Sequence, residues 1–423
     1  MKISKLLGFQ VLDSRGRPTV AASITLEDGT THTARVPSGA STGKHEALEL
    51  RDGDTLGKNS FYGPLSVSGA VSNINLRIAP LVVGKQADLN FVDGVIRDID
   101  TTSNFSSLGA NATLAVSLAS AKASAHSQNL SLARFFQPHD NLLIPMPMVN
   151  ILSGGAHAKR SLDFQDVLVI PNGAISFTEA LAWIVAIRET AAKLGSQAGM
   201  VTHLVADEGG LGIAFNSIEL AIDFVVQAIE KVGLKPKTQV SFALDVASTQ
   251  FFSNGTYNLA ASKKTYASGD FVSYIHGLVS NYPIVSIEDP FAEDDWQSWS
   301  SFMDIAPKDL QVLGDDLLTT NSERLKRAIK EQAANSILIK PNQNGLVTNT
   351  HKVLMEAQSA GFRTVVSARS GETEDSWLSD LATGWRAAQI KVGSTHGSER
   401  TAKWNRLLEL EQTENVEFSK PFK

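Results

Sequence analysis

In the second half of the chain, apolar residues fall in short unbroken blocks, and six of these blocks end in a charge. VSFALD ends at Asp245, PIVSIED carries Glu288, and QVLGDD carries Asp315. SILIK ends at Lys340, TVVSAR at Arg369, and AAQIK at Lys391. Successive charges lie roughly 20 to 45 residues apart, the length of one strand-plus-helix unit. This pattern predicts buried parallel strands whose ends converge, as in an α/β barrel. Ahead of them, SFTEALAWIVAIRETAAKLGSQ and SIELAIDFVVQAIEKVG have helical periodicity and a serine at the start. VLVIP and HLVADEGG read as further strands, and the polar tail ENVEFSKPFK reads as frayed.

The first third has a different rhythm. KLLGFQVLD, PTVAASITLEDG and TTHTARV alternate apolar and polar residues, and the EDG turn reads as a hairpin. PSGASTGKHEALELRDGD reads as a mobile small-residue loop. The alanine-rich GANATLAVSLASAKASAHSQ reads as a helix. Strands followed by helices predict an α+β domain. The proline-bearing FFQPHDNLLIPMP suggests a boundary near residue 138, giving domains 1–138 and 139–423. The fold class expected is α/β: an N-terminal α+β capping domain followed by an eight-stranded, TIM-barrel-like barrel.

Composition narrows the function. The 423 residues carry a formal net charge of −6 and no cysteine. Cysteine-ligated zinc, thiol catalysis and disulfides are excluded. With no basic cluster to neutralise a row of phosphates, no nucleic-acid partner is expected. No apolar run approaches the ~20 residues of a membrane span, so the expectation is a cytoplasmic protein with no membrane association.

The charges at the strand ends supply candidate chemistry. Asp245, Glu288 and Asp315 offer only oxygen, which suits a hard cation such as Mg2+. Each alone reads more readily as a helix cap or rim ion pair; the three in sequence, followed by Lys340, Arg369 and Lys391, read as a site. In SIEDPF and LGDDL, two acids are adjacent, so one can ligate while the other caps. Lys340 and Lys391 end apolar strands, and a buried lysine among cations loses its proton more easily. Arg369 beside Ser370 can hold a phosphate or carboxylate. His157 in SGGAHAKRS is either a site residue or a structural histidine. Glu208 before two glycines is either a ligand-facing acid or a turn cap. PSGASTG lacks the ending of a nucleotide-binding phosphate loop.

Taken together, DSRGRPTV, VPSGASTGKHEALELRDGD, LGANATLAVSLA, VADEGG, LDVAST, SIEDPF, GDDL, ARSGETED, QIKVG and SERTAKWN resemble the enolase (phosphopyruvate hydratase) family of glycolysis across almost the whole chain. The resemblance implies a lyase that reversibly dehydrates 2-phosphoglycerate to phosphoenolpyruvate. It does so by proton abstraction α to a carboxylate and a Mg2+-stabilised enediolate. It implies two Mg2+ per site, the first on Asp245, Glu288 and Asp315, the second with help from Ser41. Lys340 would be the base, Lys391 would bind the carboxylate, and Glu208 would be the general acid. The cations around Lys340 would lower its pKa. Arg369 and Ser370 would bind phosphate, Gln165 and Asp166 would face the substrate, and His157 would close over the phosphate and leaving group. A small phosphorylated carboxylate is the implied substrate and a homodimer or higher homo-oligomer the implied assembly.

Several positions depart from that pattern. Ala368 stands where the family has a histidine, and Asp166 where it has a glutamate. Lys159 and Arg160 add charge to the His157 loop, GGLGIAF follows Glu208, and Pro341 follows Lys340. Phe9, Ala21 and Glu409 replace charges that the family pairs across its dimer interface. Losing an acid–base partner beside the leaving group costs on the order of 100-fold or more. The alternatives are therefore a paralogue that enolises a different phospho- or phosphono-carboxylate, and a binding role with weak residual activity.

Overall fold

A computed structural model describes residues 1–39, 43–53, 61–158 and 161–422. Ser41, Lys159 and Arg160 lie outside the described residues, as do residues 40–42 and 54 of the loop expected to be mobile.

Three alternating segments form an antiparallel sheet: β1 (Ile3–Leu12), β2 (Pro18–Leu26) and β3 (Thr31–Arg35). The EDG turn closes the β2–β3 hairpin. Its inner face packs on α1 (Ala110–Ser127), which is buried almost throughout. Small residues make this possible, because alanine and serine let a helix lie close to a sheet on one side and other helices on the other.

Eight strands then close a barrel. They are β4 (Met146–Ser153), β5 (Asp166–Ile170), β6 (Ser241–Asp245), β7 (Ile284–Glu288), β8 (Gln311–Gly314), β9 (Ser336–Ile339), β10 (Arg363–Ser367) and β11 (Gln389–Lys391). The order around the barrel is β7-β8-β9-β10-β11-β4-β5-β6. All neighbouring pairs are parallel except those of β5, which runs antiparallel to both β4 and β6. Helices α2 (Phe177–Gln197) and α3 (Ile218–Val232) both lie between β5 and β6. As expected, Ser176 and Ser217 cap them by accepting from the backbone N–H groups of Glu179 and Leu220. The later strands alternate with helices: α4 (Ser268–Asn281) leads into β7, then come α5 (Trp296–Ile305), α6 (Ser322–Glu331), α7 (Val347–Ser359), α8 (Trp377–Gly384) and α9 (Ser398–Thr413). The barrel interior is filled by Met146, Met148, Leu168, Ile170, Ala243, Leu313, Leu338 and Val365, so it is a packed core.

Two expectations are corrected. HLVADEGG is a turn, with only isolated bridges at Val205 and Leu211. The Ala206 carbonyl accepts from Gly209 N and its N–H donates to the Gly210 carbonyl, so the segment bonds to itself. Both glycines are needed there. A Cβ on Gly209, at φ +81°, would come within 2.4 Å of the His396 carbonyl, and one on Gly210 within 2.3 Å of Ser153 Oγ. The tail is also not frayed. Val416–Phe418 pairs in parallel with Leu142–Ile144, and Ser419 N donates to the Ile144 carbonyl. The backbone bonds of an edge pair hold it despite its polar side chains.

Candidate active site

The barrel register brings the strand-end charges to one level. Asp245 is directly opposite Glu288 on β7 and Asp166 on β5. Asp166 reaches this end because β5 is reversed: its first residue lies where its parallel neighbours finish. Lys391 ends β11 opposite Ser367, and Asp315, Lys340 and Arg369 each follow their strands by one or two residues. A small, largely enclosed cavity opens here. Its walls include Glu208, Asp245, Asp315, Lys340, Arg369 and Lys391.

The buried charges are paired. Lys391 Nζ lies 2.7 Å from both Asp245 Oδ2 and Glu288 Oε2. Lys340 Nζ pairs with Asp315 Oδ2, whose other oxygen accepts from Gln343 Nε2 at 2.9 Å. Burial and the neighbouring Asp245 hold Glu288 well above the usual carboxylate range. Burial would also raise Asp315, but Lys340 outweighs it and the carboxyl is lowered. The direction for Lys340 is opposite to the expectation. Burial would lower it, yet Asp315 prevails and its pKa is raised. The reason is the direct contact with the Asp315 carboxylate, whose pull outweighs the opposing push of Arg369 and Lys391.

These residues fit a hard cation. An ammonium group bridges two of the carboxylates, Glu288 is poorly stabilised as an anion, and every donor in the set is an oxygen. Asp315 also groups with Asp289 and Asp316 closely enough to hold an ion. Asp289, however, is already committed. Its two oxygens accept from the backbone N–H groups of Asp315 and Asp316 at 2.9 and 2.7 Å. In SIEDPF, then, Glu288 faces the cavity lysine and Asp289 fixes the next strand's turn.

A second cluster forms the opposite wall. His157 Nδ1 is 3.2 Å from Asp166 Oδ2. Its Nε2 lies 3.2 Å from Ser370 Oγ and 3.6 Å from Glu208 Oε1. Asn150 Nδ2 donates to Glu208 Oε2. Burial disfavours the imidazolium, but Glu208 and Asp166 outweigh it and push the His157 pKa up to about 9. Burial likewise opposes ionisation of Glu208, yet His157, Arg400 and Lys391 bring it down to about 2. The proton of this pair therefore resides on His157. Asp166 is fully buried, and its other oxygen accepts from Ser153 Oγ at 2.6 Å. Its two oxygens are thus taken by Ser153 and His157, and of this pair with His157 only the imidazole lines the cavity. Gln165 Nε2 donates to Asp245 Oδ2 at 3.0 Å. Ala368 presents only a methyl group to the cavity, and its N–H is taken by the Lys391 carbonyl.

Arg369 reaches across to the N-terminal part. Its guanidinium donates to Glu46 Oε2 and Asn342 Oδ1, each at 2.9 Å. Asn342 and Gln343 lie on the short helix Pro341–Asn344, and proline suits the first turn of a helix. Arg400 is fully buried and donates to the carbonyls of Asp207, Arg369, Ser370 and Val392. It thereby ties the Glu208 and Arg369 segments together. The strand-end pattern did not reveal Glu46, Asn342, Gln343, Asn150, Ser153 or Arg400. Only the adjacency of Asn342 and Gln343 to Lys340 offered a local signal. As for the dimer positions, Ala21 is fully buried and Glu409 is engaged by Arg406 on its own helix.

Comparison with known families agrees with this architecture. Residues 3–136 match the enolase N-terminal domain, and residues 141–419 match the enolase C-terminal TIM barrel domain. Together the two matches span nearly all of a chain whose barrel carries acids and lysines on converging strand ends, and the chain belongs to the enolase family.

Proposed function

We propose that the protein is a Mg2+-dependent lyase that removes the proton α to the carboxylate of a small anionic substrate, with 2-phosphoglycerate as the first candidate. The observation that carries this reading is the interlocked set of two lysines and three carboxylates, Lys391 with Asp245 and Glu288, Lys340 with Asp315. Asp245, Glu288 and Asp315 would hold the first cation, and Ser41 would contribute to a second. Mg2+ held there would offset both the charge of the three acids and the negative charge that builds on the substrate carboxylate. Lys340, relieved of Asp315, would face Arg369 and Lys391, both of which push its pKa down, and could act as the base. Lys391 would turn to the substrate carboxylate, and Arg369 with Ser370 would hold the phosphate. The His157–Glu208 pair would deliver the proton needed by the departing hydroxyl. We also expect a homodimer, with contacts other than the family's charge pairs.

A second reading rests on Asp166 and Ala368. Asp166 is turned onto Ser153 and His157, and Ala368 offers no polar side chain. Enolisation can be kept while the group leaving from the β-carbon differs. The deciding experiment incubates the protein with Mg2+ and 2-phosphoglycerate in deuterated water. Deuterium exchange at C2 and phosphoenolpyruvate formation are then followed together. We expect exchange that is lost in Lys340→Ala. Exchange without phosphoenolpyruvate selects the second reading, and absence of exchange with this and related phospho-carboxylates overturns both.

A further inference from the structure

Gln250 lies on the cavity wall in the short 3-10 helix Ser248–Phe251 that follows β6, and no role proposed above involves it. Both ends of its amide are used. Its Oε1 accepts from Ala156 N at 3.2 Å, and its Nε2 donates to Gln165 Oε1 at 2.6 Å. Gln165 in turn donates from Nε2 to Asp245 Oδ2 at 3.0 Å. Two features fix the direction of this chain. At one end, a backbone N–H can only donate; at the other, a carboxylate can only accept. Each intervening amide therefore has one permitted orientation. Gly155, at φ +46°, lets the loop lie against the chain, since a Cβ there would come 3.0 Å from Gln165 Cα. The same loop carries His157.

We infer that Gln250 is a positioning residue that orients Gln165, and through it Asp245, while fastening the His157 loop to the same carboxylate. This rests on the reading of Asp245 as a cation ligand. Outer partners of a metal ligand hold its carboxylate in the ligating orientation, and their loss costs about 10–100-fold in metal affinity. The direction of donation matters as well as the contact. A carboxylate at position 250 can still accept from Ala156 but cannot donate to Gln165. The Gln165 amide would then turn its oxygen toward Asp245.

The test is Mg2+ titration calorimetry on the full chain, with melting temperature measured alongside to verify folding. Gln250→Met should weaken Mg2+ binding about 10-fold, and Gln250→Glu at least as much. Gln165→Met should weaken it similarly, and Gln250→Met/Gln165→Met should be no worse than either single change, because both act through one chain. Asp245→Asn should weaken it most. A Gln250→Met affinity within twofold of the parent, or effects of the two glutamine changes that multiply, would overturn the proposal. Unchanged affinity in Asp245→Asn would overturn the cation reading itself, and this proposal with it. Loss in Asp245→Asn with none in Gln250→Met would overturn this proposal alone.

Discussion

His157 shows what single residues contribute here. Its imidazolium sits between Glu208 and Asp166 in a nearly closed wall, and its pKa of about 9 stands above the ordinary 6.5. A group whose pKa rises on folding stabilises the fold fully below its unfolded value. That contribution is lost as pH climbs through the folded one. Thermal melts from pH 6 to 10 should therefore show stability declining between about pH 6.5 and 9. In His157→Gln the decline over that window should be shallower, and parallel curves for the two proteins would refute the assignment. The change from glutamate to Asp166 was legible in the sequence. Its consequence was not, because Ser153, which takes the carboxylate's other oxygen, belongs to the neighbouring strand.

At the scale of elements, the reversal of β5 decides the composition of the site. It delivers Asp166 and Gln165 from the start of a strand, where the pattern of charged strand ends does not look. The turn after β8 depends on Asp289, at φ +41°, whose carboxylate fixes the N–H groups of Asp315 and Asp316. Asp289→Ala leaves both donors without this acceptor, at about 1–3 kcal/mol each, partly offset by relief of repulsion from the neighbouring acids. We expect a net loss of about 1–3 kcal/mol in denaturant midpoints and weaker Mg2+ binding as Asp315 shifts. A variant that binds Mg2+ like the parent would show that the turn does not need this clamp. In SIEDPF the sequence shows two adjacent acids. Which one pairs with Lys391 and which one clamps the next turn is decided by the strand's exit from the barrel.

At the scale of the whole molecule, the N-terminal part closes over the barrel mouth through a polar seam. Glu46 pairs with Arg369, and Ser38 bridges Gly371. Lys122 pairs with Asp375 at 2.7 Å, and Asp375 also accepts from Arg35 N. Removing one partner of a buried pair leaves the other uncompensated, at up to about 3–5 kcal/mol. The partial exposure of Lys122 places the expected loss for Lys122→Met toward the lower end, read as a fall in melting temperature. The bond from Lys122 to the Thr33 carbonyl is lost too. An unchanged melting temperature would mean that the seam does not depend on this pair. Substrate-facing chemistry should be spared at temperatures where the variant is folded, since neither residue lines the cavity.

The sequence by itself determined the alternation of strand and helix, the capping serines, and the residue types at the converging ends. These properties are local: periodicity, propensity and charge can be read along one dimension. Tertiary structure decided the reversed strand, the docking of residues 416–418 against 142–144, and the pairing of each lysine with its acid. It also decided the directions of the pKa shifts. Those depend on distances between residues far apart in the chain, as between Lys391 and Asp245, and on burial that excludes water from their interaction.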